Sequence, residues 1–171
     1  MNKEYALEGV RSYDINLLPD ERGFFAEVMR RDWGDFLPDD IKQANLSFTY
    51  PGVIRAWHRH NRGQVDYFLV LKGASKICAY DEKSRRLVEV IAGGARPMLL
   101  RVEGRYYHGF RAIADEPSLM VYFTTRLYDY KDPDEERTPW NDPSIKPVEI
   151  NGGKGDSRCG QPWDWFYPPY K

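Results

Sequence analysis

Between Val53 and Thr125 the sequence runs in short, β-rich stretches that alternate with a period of two, and no long amphipathic helix interrupts them. Alternation of that kind puts successive side chains on opposite faces of an extended chain, so the whole segment is predicted to be β. The stretches are Gly52 to His60, Val65 to Lys72, Lys76 to Tyr80, Arg86 to Ile91, Met98 to Val102, Tyr106 to Ala112 and Leu119 to Thr125. Asp81-Glu82-Lys83-Ser84 and Gly93-Gly94-Ala95-Arg96-Pro97 supply the clearest turns between them. Many short strands with Gly-rich turns predict an all-β sandwich or jelly-roll barrel, whose mouth suits a small ligand. The flanks read differently. Asp32 to Asp40 is predicted to hold a short helical turn. Lys131 to Lys171, rich in Pro, Gly, Asp and aromatics, is predicted to be an irregular tail wrapped over the barrel. At 171 residues the chain is read as a single domain, 1–171, with its barrel core at about 43–128.

Charge narrows the partners. Lys plus Arg (25) nearly cancels Asp plus Glu (26), so no basic stripe points to nucleic acid, and an anionic ligand has to be held by a few local arginines. Met1 to Val10 carries charges and no apolar core, and no segment has the apolar length of a membrane span; a cytoplasmic protein without a membrane partner is expected. Cys78 lies in an apolar strand and Cys159 in a polar, Gly-rich tail, so reduced thiols are expected.

The chain has three histidines. His58 and His60, two apart in a strand, look the same way, and His108 lies on a later strand that can come alongside. An isolated strand histidine is more often structural, but three in this arrangement predict one site. With Gln64 or Asp66 they also have the composition of a metal centre for iron, manganese, nickel or zinc.

The spacing Gly52, His58, His60, Gln64, Gly73 resembles the first motif of the cupin barrel. More specifically, an ordered set of motifs resembles the dTDP-4-dehydrorhamnose 3,5-epimerase family. Asp20-Glu21-Arg22-Gly23-Phe24-Phe25-Ala26-Glu27 is similar to its DERGFF segment, Gln43-Ala44-Asn45 to its QxN strand, and Gly52 to His58 to GVLRGLH. Gly73 and Asp81 keep its GxxxxxxxD interval, and Glu103 to Phe110 is similar to PEGFAHGF. Tyr122-Phe123-Thr124-Thr125 with Tyr128 matches YKTTxxY, and Trp140-Asn141-Asp142-Pro143 matches WNDP. The resemblance implies a cupin-type jelly-roll β-barrel, a homodimer, no cofactor and a place in deoxysugar or polysaccharide biosynthesis. It implies inversion at C3, C5 or both of a nucleotide-linked 4-keto-6-deoxyhexose. His58 would be the base and Tyr122 the acid, with Arg22, Glu27, Gln43, Asn45, Arg55, His108 and Tyr128 binding substrate.

Several positions depart from that pattern. Asp66 stands where the family has a lysine, His60 replaces a glutamine, and Arg105-Tyr106-Tyr107 adds a residue before His108. The region after Pro143 lacks the SxKD motif whose aspartate orients the base, and Asp156 is the nearest candidate for that role. Removing a proton beside a ketone with an imidazole is uphill by about ten pK units, or ~14 kcal/mol, so an oxyanion stabiliser is required. Arg55, His108 or a reoriented Lys76 are the candidates. Two rival readings stand beside the epimerase. One is a metal-dependent isomerase or oxygenase using His58, His60 and His108 with Gln64 or Asp66. The other is a sugar-nucleotide-binding cupin without catalysis.

Overall fold

The structure is a computed structural model that describes residues 2–167. Pro168 to Lys171, the end of the tail predicted to wrap the barrel, lie outside the described residues. The strands are β1 (Asn2–Glu4), β2 (Arg11–Asp14), β3 (Leu18–Asp20), β4 (Gly23–Phe25), β5 (Gln43–Thr49), β6 (Ile54–His60), β7 (Val65–Lys72), β8 (Ala74–Asp81), β9 (Arg86–Gly93), β10 (Met98–Glu103), β11 (Tyr107–Ala112), β12 (Ser118–Thr124), β13 (Glu135–Arg137) and β14 (Glu149–Ile150). The helical turn predicted for Asp32 to Asp40 is one 3-10 turn, Gly34–Phe36.

From β5 to β12 the chain passes back and forth between two six-stranded sheets, ordered β1-β2-β10-β7-β12-β5 and β13-β6-β11-β8-β9-β14. This is the all-β jelly roll that the sequence predicts. One correction concerns closure: among the described residues no hydrogen-bonded ladder joins the sheets, so the molecule is a two-sheet roll rather than a closed barrel. The strand stretches read from the sequence match β6 to β12 to within a few residues. The strands it did not delimit are β5, of seven residues, and the short strands of the flanks.

Three apolar clusters follow from the layering. Phe68, Val70, Leu100 and Met120 of the first sheet meet Ile77, Ala79, Val88, Val90 and Phe110 of the second in the central core. The outer face of the first sheet, through Tyr67, Leu69 and Leu99, is covered by Ile15, Phe36 and Leu37. The outer face of the second, through Trp57, Cys78, Tyr80 and Leu87, is covered by Ile145, Ile150, Trp163 and Trp165 of the tail. Strand β7 is therefore buried on both faces from Val65 to Val70 and reads as a nearly continuous apolar run, a pattern usual for strands covered on both sides. Its inward exception is Asp66.

Candidate active site

The inward positions of β5, β6, β7, β11, β12 and β13 build the site. On the second sheet, Arg137, His58, His108 and Ala79 are cross-strand neighbours in register, and Glu135 pairs with His60 in the next inward row. On the first sheet the facing rows are Asn45, Tyr122, Phe68 and Leu100, then Gln43, Thr124, Asp66 and Val102. Cross-strand partners share a face, so each row presents its side chains to the same space. Between the sheets lies a cavity of about 610 Å³ lined by Gln43, Asn45, Arg55, His58, His60, Gln64, Asp66, Tyr122, Tyr128 and Arg137, among others. A second cavity of about 720 Å³, lined by Lys42, Arg62, Arg126, Tyr128, Tyr130 and Lys131, shares His60 and Gln64 with the first.

A local irregularity brings Arg55 in. It stands three residues before His58, an odd spacing that aims two side chains of a regular strand at opposite faces. The β6–β11 ladder shifts register here, His108 pairing with His58 but Phe110 with Arg55, and this bulge turns both side chains to the cavity. Gly109 permits the close approach, because a Cβ there would overlap the Ala56 side chain and the Arg55 carbonyl. Arg55 is then tethered at the rim, its Nε donating to the Thr49 hydroxyl at 3.0 Å and its Nη2 to the Phe48 carbonyl at 3.4 Å.

The three histidines converge as predicted. The ring centroids of His58 and His108 are 4.2 Å apart, and those of His58 and His60 5.8 Å. His108 is fully buried, with Nδ1 2.9 Å from the Tyr106 carbonyl and Nε2 3.0 Å from Oδ2 of Asp66. A carbonyl only accepts, so Nδ1 carries a proton, and the contact between Nε2 and a carboxylate requires a second proton or a cation between them. Gln64 donates to Oδ1 of Asp66 at 2.8 Å and lies 3.1 Å from Nε2 of His60. Burial, reinforced by His108 and His60, holds the His58 imidazole well below the usual histidine range, so it is neutral at pH 7. Burial likewise raises the Tyr122 phenol, helped by the Asp66 carboxylate, and keeps it protonated.

His58, His60, Asp66 and His108 each offer a ligand atom, all within 4.8 Å of one another. Oδ2 of Asp66 is 3.7 Å from Nε2 of His60 and 3.0 Å from Nε2 of His108. Spacings of about 3–3.7 Å suit ligands on one ion at bonds near 2.0–2.2 Å. The hydrogen bond from Nδ1 of His108 to a main-chain carbonyl is the outer support that ligating histidines have. The residues present fit a divalent cation.

Other predicted residues are not brought here. Arg22 lies on the exposed β3–β4 hairpin, paired with Asp20 at 2.5 Å, and Glu27 pairs with Arg30 at 2.6 Å. Asp156 pairs with Arg158 at 2.8 Å and not with His58. The structure gives Asp66, not Asp156, as the carboxylate of the histidine cluster, because the tail carrying Asp156 covers the outer face of the second sheet. Lys76 is equally remote: it is buried with its Nζ 3.1 Å from Glu89 and 3.4 Å from the Trp165 carbonyl. The reading of the sequence missed Arg126, Glu135 and Arg137. For the last two the one available signal was their spacing of two residues in a stretch otherwise read as tail.

Residues 18–136 match the model of the polysaccharide biosynthesis C-terminal domain. The chain belongs to that family. It is 41% identical over 140 residues to a probable low-salt glycan biosynthesis epimerase of Haloferax volcanii, covering 79% of this chain and 89% of that protein. It superposes on a dTDP sugar isomerase of Desulfovibrio desulfuricans G20 with a TM-score of 0.75 and 26% identity, covering 84% of this chain and 92% of that one. The dTDP-4-dehydrorhamnose 3,5-epimerase of Sulfolobus tokodaii gives a TM-score of 0.67 at 26% identity, over 80% of this chain and 82% of that one. The resemblance drawn from the motifs is thus borne out.

Proposed function

We propose that this chain is a carbohydrate epimerase that inverts C3, C5 or both of a nucleotide-linked 4-keto-6-deoxyhexose. The observation that carries this reading is that an imidazole, His58, and a phenol, Tyr122, line one sugar-sized cavity from opposite sheets. Inversion needs that arrangement: a base that removes the proton beside the ketone and an acid that returns one to the other face. The Haloferax relative, a glycan biosynthesis epimerase, and the two neighbours named for dTDP sugars support the substrate class. Gln43, Asn45, Arg55 and Tyr128 line the same cavity and are placed to hold the sugar nucleotide. His108, expected to bind substrate, is instead fully buried behind His58, its ring 4.2 Å away.

The same proposal includes a homodimer. Leu18, Phe24 and Phe25 of the β3–β4 hairpin and Leu46 and Phe48 of the edge strand β5 are exposed apolar side chains. A second copy seated on them would bring Arg22 and Glu27, which lie outside this chain's own cavity, toward its partner's.

A second reading rests on the fit of His58, His60, Asp66 and His108 to a divalent cation. Such an ion would polarise the ketone and stabilise an enolate as a Lewis acid, and His58, as a ligand, would no longer be the base.

The test is proton NMR of dTDP-4-keto-6-deoxyglucose with metal-free protein in deuterated water. Exchange at C3 or C5 that is lost in His58→Asn supports the metal-free epimerase. Exchange that needs a metal bound in the purified protein supports the second reading. Tight binding of the nucleotide sugar without exchange under either condition makes the chain a binding module.

A further inference from the structure

The cavity lacks the lysine that would neutralise an enolate, and the nearest substitutes in the sequence fail on geometry. Asp66, which stands in its place, is an anion; Lys76 is buried beneath the tail against Glu89, His108 is fully buried with both ring nitrogens engaged by Tyr106 and Asp66, and Arg55, though it lines the cavity, has its guanidinium bonded to Thr49 and Phe48 at the rim. The short strand β13 supplies a different cation. Its register sets Arg137 directly opposite His58 and Glu135 opposite His60. Because cross-strand partners share a face, with Cβ atoms about 4.5–5.5 Å apart, Arg137 rises into the cavity beside the imidazole, and it lines that cavity with Tyr122. Glu135 holds the guanidinium from the side, at 2.6 Å. Glu136, between them, points to the outer face, where it takes Arg59 at 2.9 Å and the Tyr107 hydroxyl at 2.7 Å.

Resting on the metal-free epimerase reading, we infer that Arg137 is the catalytic oxyanion stabiliser, donating N–H groups to the ketone oxygen of the sugar as it becomes an enolate. In that step His58 takes the proton from the carbon beside the ketone. The C–H electron pair forms the carbon–carbon double bond, and the carbonyl π pair moves onto the oxygen facing Arg137. When the pair returns, the carbonyl re-forms and the carbon takes the Tyr122 proton on its opposite face. The His58 imidazolium and Tyr122 phenolate are reset by proton exchange with solvent, so no further reactant is needed.

The Arg137 side chain is 73% exposed. Substrate over it would exclude water, the condition under which such a donor acts most strongly.

The test compares wild type, Arg137→Gln and Arg137→Lys in metal-free buffer, reading kcat, KM and solvent deuterium incorporation at C3 and C5. Arg137 is a surface side chain, and near-ultraviolet circular dichroism checks that the variants keep the fold. The expected result is a fall in kcat of about 10²–10³-fold for Arg137→Gln, as for loss of one oxyanion donor, with a smaller change in KM. Arg137→Lys should keep part of the rate, and free guanidinium should restore part of it to Arg137→Gln. Wild-type exchange with Arg137→Gln within about threefold overturns this inference and leaves the epimerase standing, threefold being well short of the loss of one donor. No exchange in the wild type overturns both.

Discussion

Replacing Asp66 by asparagine or by alanine separates two things the carboxylate does, and the structure sets the size of each. Asp66 is 2% exposed and accepts from Gln64 at 2.8 Å, while its other oxygen faces Nε2 of His108 at 3.0 Å. With Nδ1 of His108 committed to the Tyr106 carbonyl, that second contact, when no cation bridges it, holds a shared proton. An asparagine amide dispenses with it: its N–H donates to the Nε2 lone pair of a neutral His108, and its oxygen still accepts from Gln64. Exchanging a buried ionic pair for a neutral bonded one is often close to neutral, so Asp66→Asn is expected within about 1 kcal/mol of wild type. Alanine leaves Nε2 of His108 and the Gln64 N–H that pointed at Asp66 without their acceptor, the Gln64 amide keeping its contact with His60. At about 1–3 kcal/mol for each orphaned group, Asp66→Ala should cost about 3 kcal/mol. With a urea m-value of about 2 kcal/mol/M that is a midpoint about 1.5 M lower. The assay is urea unfolding followed by tryptophan fluorescence at pH 7, with chelator in every sample so that a bound cation contributes to none. Equal losses for the two variants would refute the shared-proton account of the Asp66–His108 contact.

Two predictions concern what holds the site's frame. Trp165 is fully buried, 4.7 Å from the Trp57 ring and 6.2 Å from Trp163, and its indole donates to the Trp140 carbonyl at 3.1 Å; Trp165→Ala should cost about 3–5 kcal/mol in the same unfolding assay, and a loss under about 1 kcal/mol would mean that the tail is not a structural cover. Glu136 is drawn down to about 2 from an ordinary 4.5, chiefly by Arg59 and then by Tyr107 and Asn61, so its contribution is fully present above pH 4.5 and is lost as pH falls through about 2. The urea midpoints of wild type and Glu136→Gln should therefore differ constantly at neutral pH and converge across that acid window; a gap that persists to pH 2 would show that Glu136 does not titrate there.

The sequence alone determined the strands from β6 to β12, because alternation between a buried and a solvated face is a local property of the chain. It also determined that His58 and His60 share a face, and the family motifs singled out Tyr122, Gln43, Asn45 and Tyr128, which the structure gathers around one cavity. What lay beyond it depended on neighbours distant in sequence. Residues of the N-terminal arm, Ile15, Phe36 and Leu37, cover β7 and erase its alternation. The bulge that admits Arg55 is a mismatch between β6 and β11, visible only once the two strands are paired. Asp66 became the partner of His108 because the sheets bring together residues 42 positions apart, while Asp156 went to the outer face with the tail. Three polar residues, Glu135 to Arg137, have no apolar rhythm of their own. They are a strand because β6 has a free edge, and that pairing is what sets Arg137 beside His58.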